Sequence, residues 1–291
     1  MPRRHPSLSW LAAAVLALPA LAGCRIMDRG ESDGTGGGPA DELTSAEQEL
    51  VDDSADAEEG VRADSGLAAL PTFAFIGRQD RLTLARAVQL QTFAPRAFLP
   101  AGCATVETAG NVVTYAFDGC TGPLGLVEVS GREVVTFRPG AEVGSIEMTM
   151  ASEGLTLQGR PVQHDATVSF GITEAGRVVR YVGSFSGTTV RGLPIEHTSD
   201  LRLVTDAGSE CATLDGVTRG TIGARGLDTT FEAFSRCAPT ASCPSGNVTS
   251  TGRLSGLSVE VAFDGTDVAL VTTPRGREVE IDLACTPREV P

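Results

Sequence analysis

The chain has 291 residues, a net charge of −14, 34 Gly and 16 Pro, and only 5% aromatic residues. That Gly and Pro content argues against a helix-rich fold. The 37 acids against 23 basic residues, every one an Arg, make the chain a poor candidate for holding a nucleic-acid backbone, which needs a basic face.

The chain opens with Arg3, Arg4 and His5 and no acid, followed by the uncharged apolar run 11–22. That run is too short to span a bilayer as a helix, which takes about 20 residues. A positive start, a short apolar stretch and then small residues is the pattern of a secretory signal, here residues 1–23. It ends in Leu21-Ala22-Gly23-Cys24. This string resembles the lipobox of bacterial lipoproteins at all four positions. The resemblance implies cleavage before Cys24 and acylation of its thiol and new amine. Several acyl chains give a durable anchor, since each buried CH₂ contributes roughly 0.8 kcal/mol. The expected location is therefore the cell envelope, bound to a membrane by lipid and not crossing it. Arg25 follows the lipid Cys, where Asp would retain an enterobacterial member in the inner membrane, so the expectation is the outer membrane.

Residues 24–66 read as an acidic tether. The stretch 25–66 holds 13 acids against three Arg and no aromatic residue, with Gly34, Gly36, Gly37, Gly38 and Pro39 in its middle. Low hydrophobicity with high charge cannot offset the entropy of ordering, so this stretch is expected to be disordered. Thr44 with Glu47 fits one capping box ahead of Leu50 and Val51. Residues 67–291 then form a single β-rich domain, long enough to bury a core.

Residues 80–92 predict the one substantial helix, with Asp80 as N-cap and Leu84, Ala87, Val88 and Gln91 on a shared face. Pro95 and Pro100 end it. From Cys103 onward the chain reads as short strands between turn signals. The segments are 103–108, 111–118, 124–130, 132–138, 143–150, 154–158, 162–171, 176–190, 195–205, 210–214, 216–223, 226–236, 247–252, 257–264, 267–273 and 277–284. Val113, Tyr115 and Phe117 alternate onto one face, as do Val259, Val261 and Phe263, and Asp264-Gly265 is a tight-hairpin signal. The expected fold is all-β, mainly an antiparallel meander, as a sandwich or an incompletely closed barrel. Segments 113–134 and 259–279 echo one another: Val113–Gly119 matches Val259–Gly265 at five of seven places, and Gly-Arg-Glu-Val follows each. A duplicated meander and chance likeness of strands both account for this.

Setting Cys24 aside leaves Cys103, Cys120, Cys211, Cys237, Cys243 and Cys285. An even number in an exported chain implies disulfides. Cys103–Cys120 should close a hairpin. For the rest, Cys237–Cys243 with Cys211–Cys285 is the first expectation, and Cys211–Cys237 with Cys243–Cys285 competes with it. No C-x-x-C spacing supports a zinc or redox site. The segments Cys120–Leu126, Arg236–Pro244 and Leu283–Cys285 also resemble β-rich, Cys-containing bacterial lipoproteins with no assigned activity. That resemblance implies topology and location only.

Catalytic signals are sparse. His164 and His197 are the only His after the signal, and they read as strand or turn residues. His164-Asp165 could be half of a triad, but the nearest nucleophile-elbow string, Gly183-Ser184-Phe185-Ser186-Gly187, has Phe where the nucleophile belongs. Asp264 and Asp267 read as turn chemistry rather than a calcium loop. Glu278, Glu280 and Asp282 read as one solvated strand face rather than a glycosidase carboxylate pair. The expectation is a non-enzymatic envelope binding or scaffold domain, with no metal and no cofactor. The alternatives are a carrier of lipid or another apolar ligand in an open β half-barrel, and an envelope hydrolase.

Overall fold

Apolar and polar residues alternate from Ala104 almost to the end of the chain, and strand after strand turns back on its neighbour. The computed structural model describes Leu50, Asp53, Leu67, residues 83–283 apart from 122–127, 143, 174–175, 207–210 and 238–242, and Cys285. The signal, Cys24, the Thr44–Glu47 box and Asp80 lie outside the described residues.

Helix α1 spans Leu84–Gln91 and is followed by a 3-10 turn, Ala94–Ala97. The strands are β1 (Ala104–Ala109), β2 (Val112–Thr121), β3 (Glu128–Pro139), β4 (Ile146–Leu157), β5 (Arg160–Pro161), β6 (Gln163–Thr173), β7 (Gly176–Thr188), β8 (Pro194–Asp206), β9 (Cys211–Ile222), β10 (Arg225–Cys237), β11 (Ser245–Gly252), β12 (Ser258–Asp264), β13 (Val268–Thr272) and β14 (Glu278–Asp282). All pair antiparallel in one sheet in chain order, with the short β5 hanging off β4. β1 and β14 are its two ends, so the sheet does not close into a barrel.

Three strands are longer than their sequence suggests. Segments 124–130 and 132–138 are one strand, β3; 143–150 and 154–158 are β4; 210–214 and 216–223 are β9. Gly131 in the first gap, and Gly154 and Gly216 just after the other two, read as strand ends, but the chain runs through each beside a bulge. At Gly131 the register against β4 shifts between Ser130 and Arg132. Its φ is +103°, and a Cβ there would lie 2.3 Å from the Gly154 carbonyl oxygen. Gly216 sits at φ +139° beside the bulge in β10, where a Cβ would lie 2.2 Å from the Asp200 carbonyl oxygen. Bulges deepen the twist of the strands they interrupt. They let a sheet this wide coil without breaking.

One face of the sheet is buried from β1 to β13. Tyr115, Phe137, Ile146, Met148, Leu155 and Ile222 are each under 2% or at 2% exposed and belong to one continuous core. Fully burying such a side chain contributes roughly 1.5–3 kcal/mol. Ala87, Val88, Leu90 and Gln91 of α1 join that core, much as the helical face predicts. The N-cap is Thr83 rather than Asp80: its hydroxyl accepts from the Arg86 amide at 3.3 Å.

Leu50 and Asp53 correct the expectation of a disordered tether up to residue 66. Both are helical and buried. The Asp53 carboxylate accepts from Arg225 at 2.5 and 2.7 Å and from Arg191 at 3.1 Å. An acid that composition assigns to a solvated spacer is thus clasped by two distant Arg, one in the turn before β8 and one at the start of β10. Leu50 and Leu67 pack into the sheet's core.

Cys103–Cys120 forms as expected, with a Cα separation of 5.3 Å. The other two bridges are Cys211–Cys237 and Cys243–Cys285, not Cys237–Cys243 and Cys211–Cys285. The reason is strand register. Cys211 begins β9 and Cys237 ends β10, directly opposite one another. Cys243 and Pro244 sit at the β12–β13 turn, where the Gly265 amide donates to Pro244. The end of β14 arrives at the same turn, with Leu283 donating to Asp267.

The two echoing segments occupy different settings. Asp118-Gly119 lies inside β2, whereas Asp264-Gly265 makes the β12–β13 turn. Gly131 is a mid-strand bulge, whereas Gly276 precedes β14.

Candidate functional site

Pairing puts the polar residues of the covered face into line. Tyr115 on β2 lies opposite Glu133 on β3, which lies opposite Ser152 on β4. The Ser152 hydroxyl accepts from the His164 amide at 2.8 Å. His164 on β6 then lies opposite Phe185 on β7, and Phe185 opposite His197 on β8. Both His residues of the domain therefore share one cross-strand row with a carboxylate, across strands far apart in sequence.

Glu133 and His164 are each 0% exposed, and Glu133 Oε1 is 3.0 Å from His164 Nδ1. The other ring nitrogen, Nε2, is 3.3 Å from the Tyr181 hydroxyl. Tyr181 reaches it because position 183 is Gly: a Cβ there would lie 2.2 Å from the Tyr181 hydroxyl oxygen. On the other side, the Tyr115 hydroxyl donates to Gln91 Oε1 of α1, and Gln91 Nε2 donates to the Ala87 carbonyl at 3.1 Å. Burial, and secondarily the Glu133 charge, hold the Tyr115 phenol well above its usual range, so it stays protonated as a donor. His197 is buried and stacks on Phe185 with ring centroids 5.1 Å apart.

Carboxylate, imidazole and hydroxyl thus stand in the order that nucleophilic catalysis uses. Here the hydroxyl belongs to Tyr181, which is 5% exposed, and Glu133 and His164 have no exposed surface through which a substrate could reach them. Asp165, the other acid considered for His164, points to the opposite face and accepts from Gln163 at 3.2 Å. The arrangement is a buried polar row in which one set of bonds ties α1 to β2 and a second ties β3, β6 and β7.

The outer face carries a concavity. Residues next to the buried row point outward in two further rows: Asp165, Ser184, Thr198 and Arg219, and Gln163, Ser186, Glu196 and Thr221. Ser184, Ser186 and Thr198 are short and sit on the middle strands β7 and β8. Longer side chains on β6 and β9 rise beside them. Arg253 completes the β9 side, with its guanidinium 3.2 Å from Asp228 and donating to the Gly220 carbonyl. Its stem lies over Gly226, where a Cβ would come within 2.8 Å of the Arg253 Nε. The result is an open trough of about 450 Å³. Ligand clefts commonly have volumes of roughly 300–1,000 Å³. By contrast, a cavity on the inner side of His197, bordered by Ile195, Thr218 and Leu227, holds only about 10 Å³.

Ser184 and Ser186, the two Ser of the elbow-like string, lie in the middle of straight strand β7 and line the trough. Asp264 caps its turn by accepting from the Thr266 amide at 2.9 Å and from the Thr266 hydroxyl. Those bonds, the hydroxyl first, hold the Asp264 carboxyl below its usual range. Glu278, Glu280 and Asp282 alternate outward on β14 and are exposed, as a solvated face requires. The six Cys after Cys24 are all in disulfides. Among the described residues no group of three or more His, Cys, Asp or Glu is placed to hold a metal ion, and no helix is long and apolar enough to cross a membrane.

Sequence reasoning missed Glu133, Tyr181 and the trough. The i, i+2 pairs Gln163/Asp165, Ser184/Ser186, Glu196/Thr198 and Arg219/Thr221 are visible in the chain. Only strand register shows that they adjoin. In comparisons with protein-family models, curated proteins and solved structures, nothing matches this chain.

Proposed function

We propose that this is an exported, lipid-anchored protein of the cell envelope, held at the outer membrane by Cys24, and that it is a non-enzymatic binding domain whose recognition surface is the outer-face trough. The observation that carries this reading is the trough itself: about 450 Å³, open to solvent and bordered by the polar side chains of Asp165, Ser184, Glu196 and Arg219, with Phe185 and His197 also at its lining. Three disulfides support an oxidising compartment, and the lipobox-like string supports the anchor. The full enclosure of Glu133 and His164 favours a structural role for that pair over hydrolysis. A carrier would hold apolar cargo against the covered face, but Leu50, Leu67 and α1 already pack there, which favours a binder.

The test is a photo-activated cross-linking residue at Ser184, in the trough, and separately at Glu107 on β1, with the anchored protein in its own membranes. Adducts should form from position 184 and not from 107, and Cys24→Ala should release the protein from the membrane fraction. Equal yields from both positions, or none from 184, would overturn the reading of the trough.

A further inference from the structure

Resting on that reading of the trough, we infer its ligand class: a neutral, polyhydroxylated chain, that is, an oligosaccharide strand. Three features narrow the choice.

The first is the backbone. β7 and β8 form the floor, and both are paired along both edges. Their amides and carbonyls are committed to the ladder. An extended peptide gains affinity by adding a strand to a free edge and specificity from side-chain pockets. The trough floor offers no free edge, and its outward residues are the hydroxyls of Ser184, Ser186 and Thr198 and the carboxylate of Glu196. Recognition here falls to side chains alone.

The second is charge. Asp165 and Glu196 face Arg219 and Arg253, and Arg253 is itself paired with Asp228, so the trough presents both signs of charge side by side. A polyanion would meet both carboxylates and a polycation both guanidiniums, and each such contact is repulsive. Among the described residues, the side chains of Glu196 and Arg219 have no ion-pair partner, so both are available to a ligand.

The third is hydrogen-bond type. The floor hydroxyls of Ser184 and Ser186 can donate and accept alike, as sugar hydroxyls do, and that of Thr198, which donates to the Arg219 carbonyl at 3.4 Å, can still accept. A carboxylate can accept from two neighbouring hydroxyls, and a guanidinium can donate to two neighbouring oxygens in its fixed fork. Acceptors on the β6 and β8 side with donors on the β9 side can therefore hold vicinal diols from both flanks. Three strand spacings of about 4.8 Å put the β6 and β9 backbones roughly 14 Å apart. With their side chains in place, that leaves room for one saccharide strand lying on the floor.

The experiment is calorimetric titration of the disulfide-bonded mature chain with neutral tetramers of glucose and of N-acetylglucosamine, a tetramer of galacturonic acid and an uncharged tetrapeptide. A neutral tetramer should bind. Ser184→Trp, which fills the floor from the exposed side, should abolish binding without lowering the melting temperature. Arg219→Ala should weaken it about tenfold. Failure of both neutral tetramers, or neutral binding untouched by Ser184→Trp, overturns the saccharide assignment. If instead the peptide or the acidic tetramer binds and Ser184→Trp removes it, the trough remains the recognition surface and only the ligand class falls. If nothing binds and position 184 gives no cross-link, both fall.

Discussion

Removing Glu133 isolates the contribution of the buried network. The Glu133 side chain is 0% exposed and lies 3.0 Å from His164 Nδ1, itself 0% exposed. Breaking a buried pair by deleting one partner costs about 3–5 kcal/mol, because the other polar group stays desolvated. In a domain of this size, each kcal/mol shifts the midpoint by roughly 2–4 °C. Glu133→Ala should therefore melt about 12 °C below the wild type. Glu133→Gln keeps the volume and one acceptor, so it should cost only about 1–2 kcal/mol. The double variant Glu133→Leu/His164→Leu should cost clearly less than the two single leucine variants together, because neither member of the pair is left buried without the other. Thermal and urea melts with the disulfides oxidised measure all five variants. The reasoning is refuted if Glu133→Ala costs under about 1 kcal/mol or if the two leucine changes add without coupling.

Gly183→Ala would put a Cβ 2.2 Å from the Tyr181 hydroxyl and 2.5 Å from its ring carbon. The buried ring has little room to give, so this variant should lose about 1–3 kcal/mol in the same melts. Asp53→Ala removes the acceptor of Arg191 and Arg225, which are about a third exposed. It should cost about 1–2 kcal/mol and speed protease cleavage N-terminal to Thr83, whereas an unchanged cleavage rate would contradict the clasp. Asp264 has a lowered folded-state pKa, so its stabilising contribution is present above the unfolded pKa and fades as pH falls through the folded value. Carboxyl NMR should show Asp264 titrating below ordinary Asp, and Thr266→Val should move the midpoint up.

Local signals carry much of the fold. Val113, Tyr115 and Phe117 alternate inward as the sequence implies. Asp264-Gly265 turns where an Asp-Gly pair should, and Cys103 meets Cys120 across its hairpin. What the sequence hides is non-local. Gly131, Gly154 and Gly216 look like strand ends, because nothing in the chain distinguishes a bulge from a turn until the partner strand is known. The pairing of Cys211 with Cys237 depends on two twelve- and thirteen-residue strands being continuous. The same holds for the network: 31 residues separate Glu133 from His164, and only the register of β3, β4 and β6 brings them together. Asp53 was the hardest to foresee, since composition weighs an acid by its neighbours in sequence and not by the Arg it will meet in space.

The most direct test of the trough as recognition surface is carboxylate footprinting on the anchored protein. Asp165 and Glu196 line the trough, while Glu107 and Glu142 are exposed elsewhere. Carbodiimide labelling, read by mass spectrometry, compares the protein in its own membranes with the purified chain. Asp165 and Glu196 should be several-fold protected in the membranes, with Glu107 and Glu142 labelled equally in both. Equal labelling of all four carboxylates in both preparations would contradict the account.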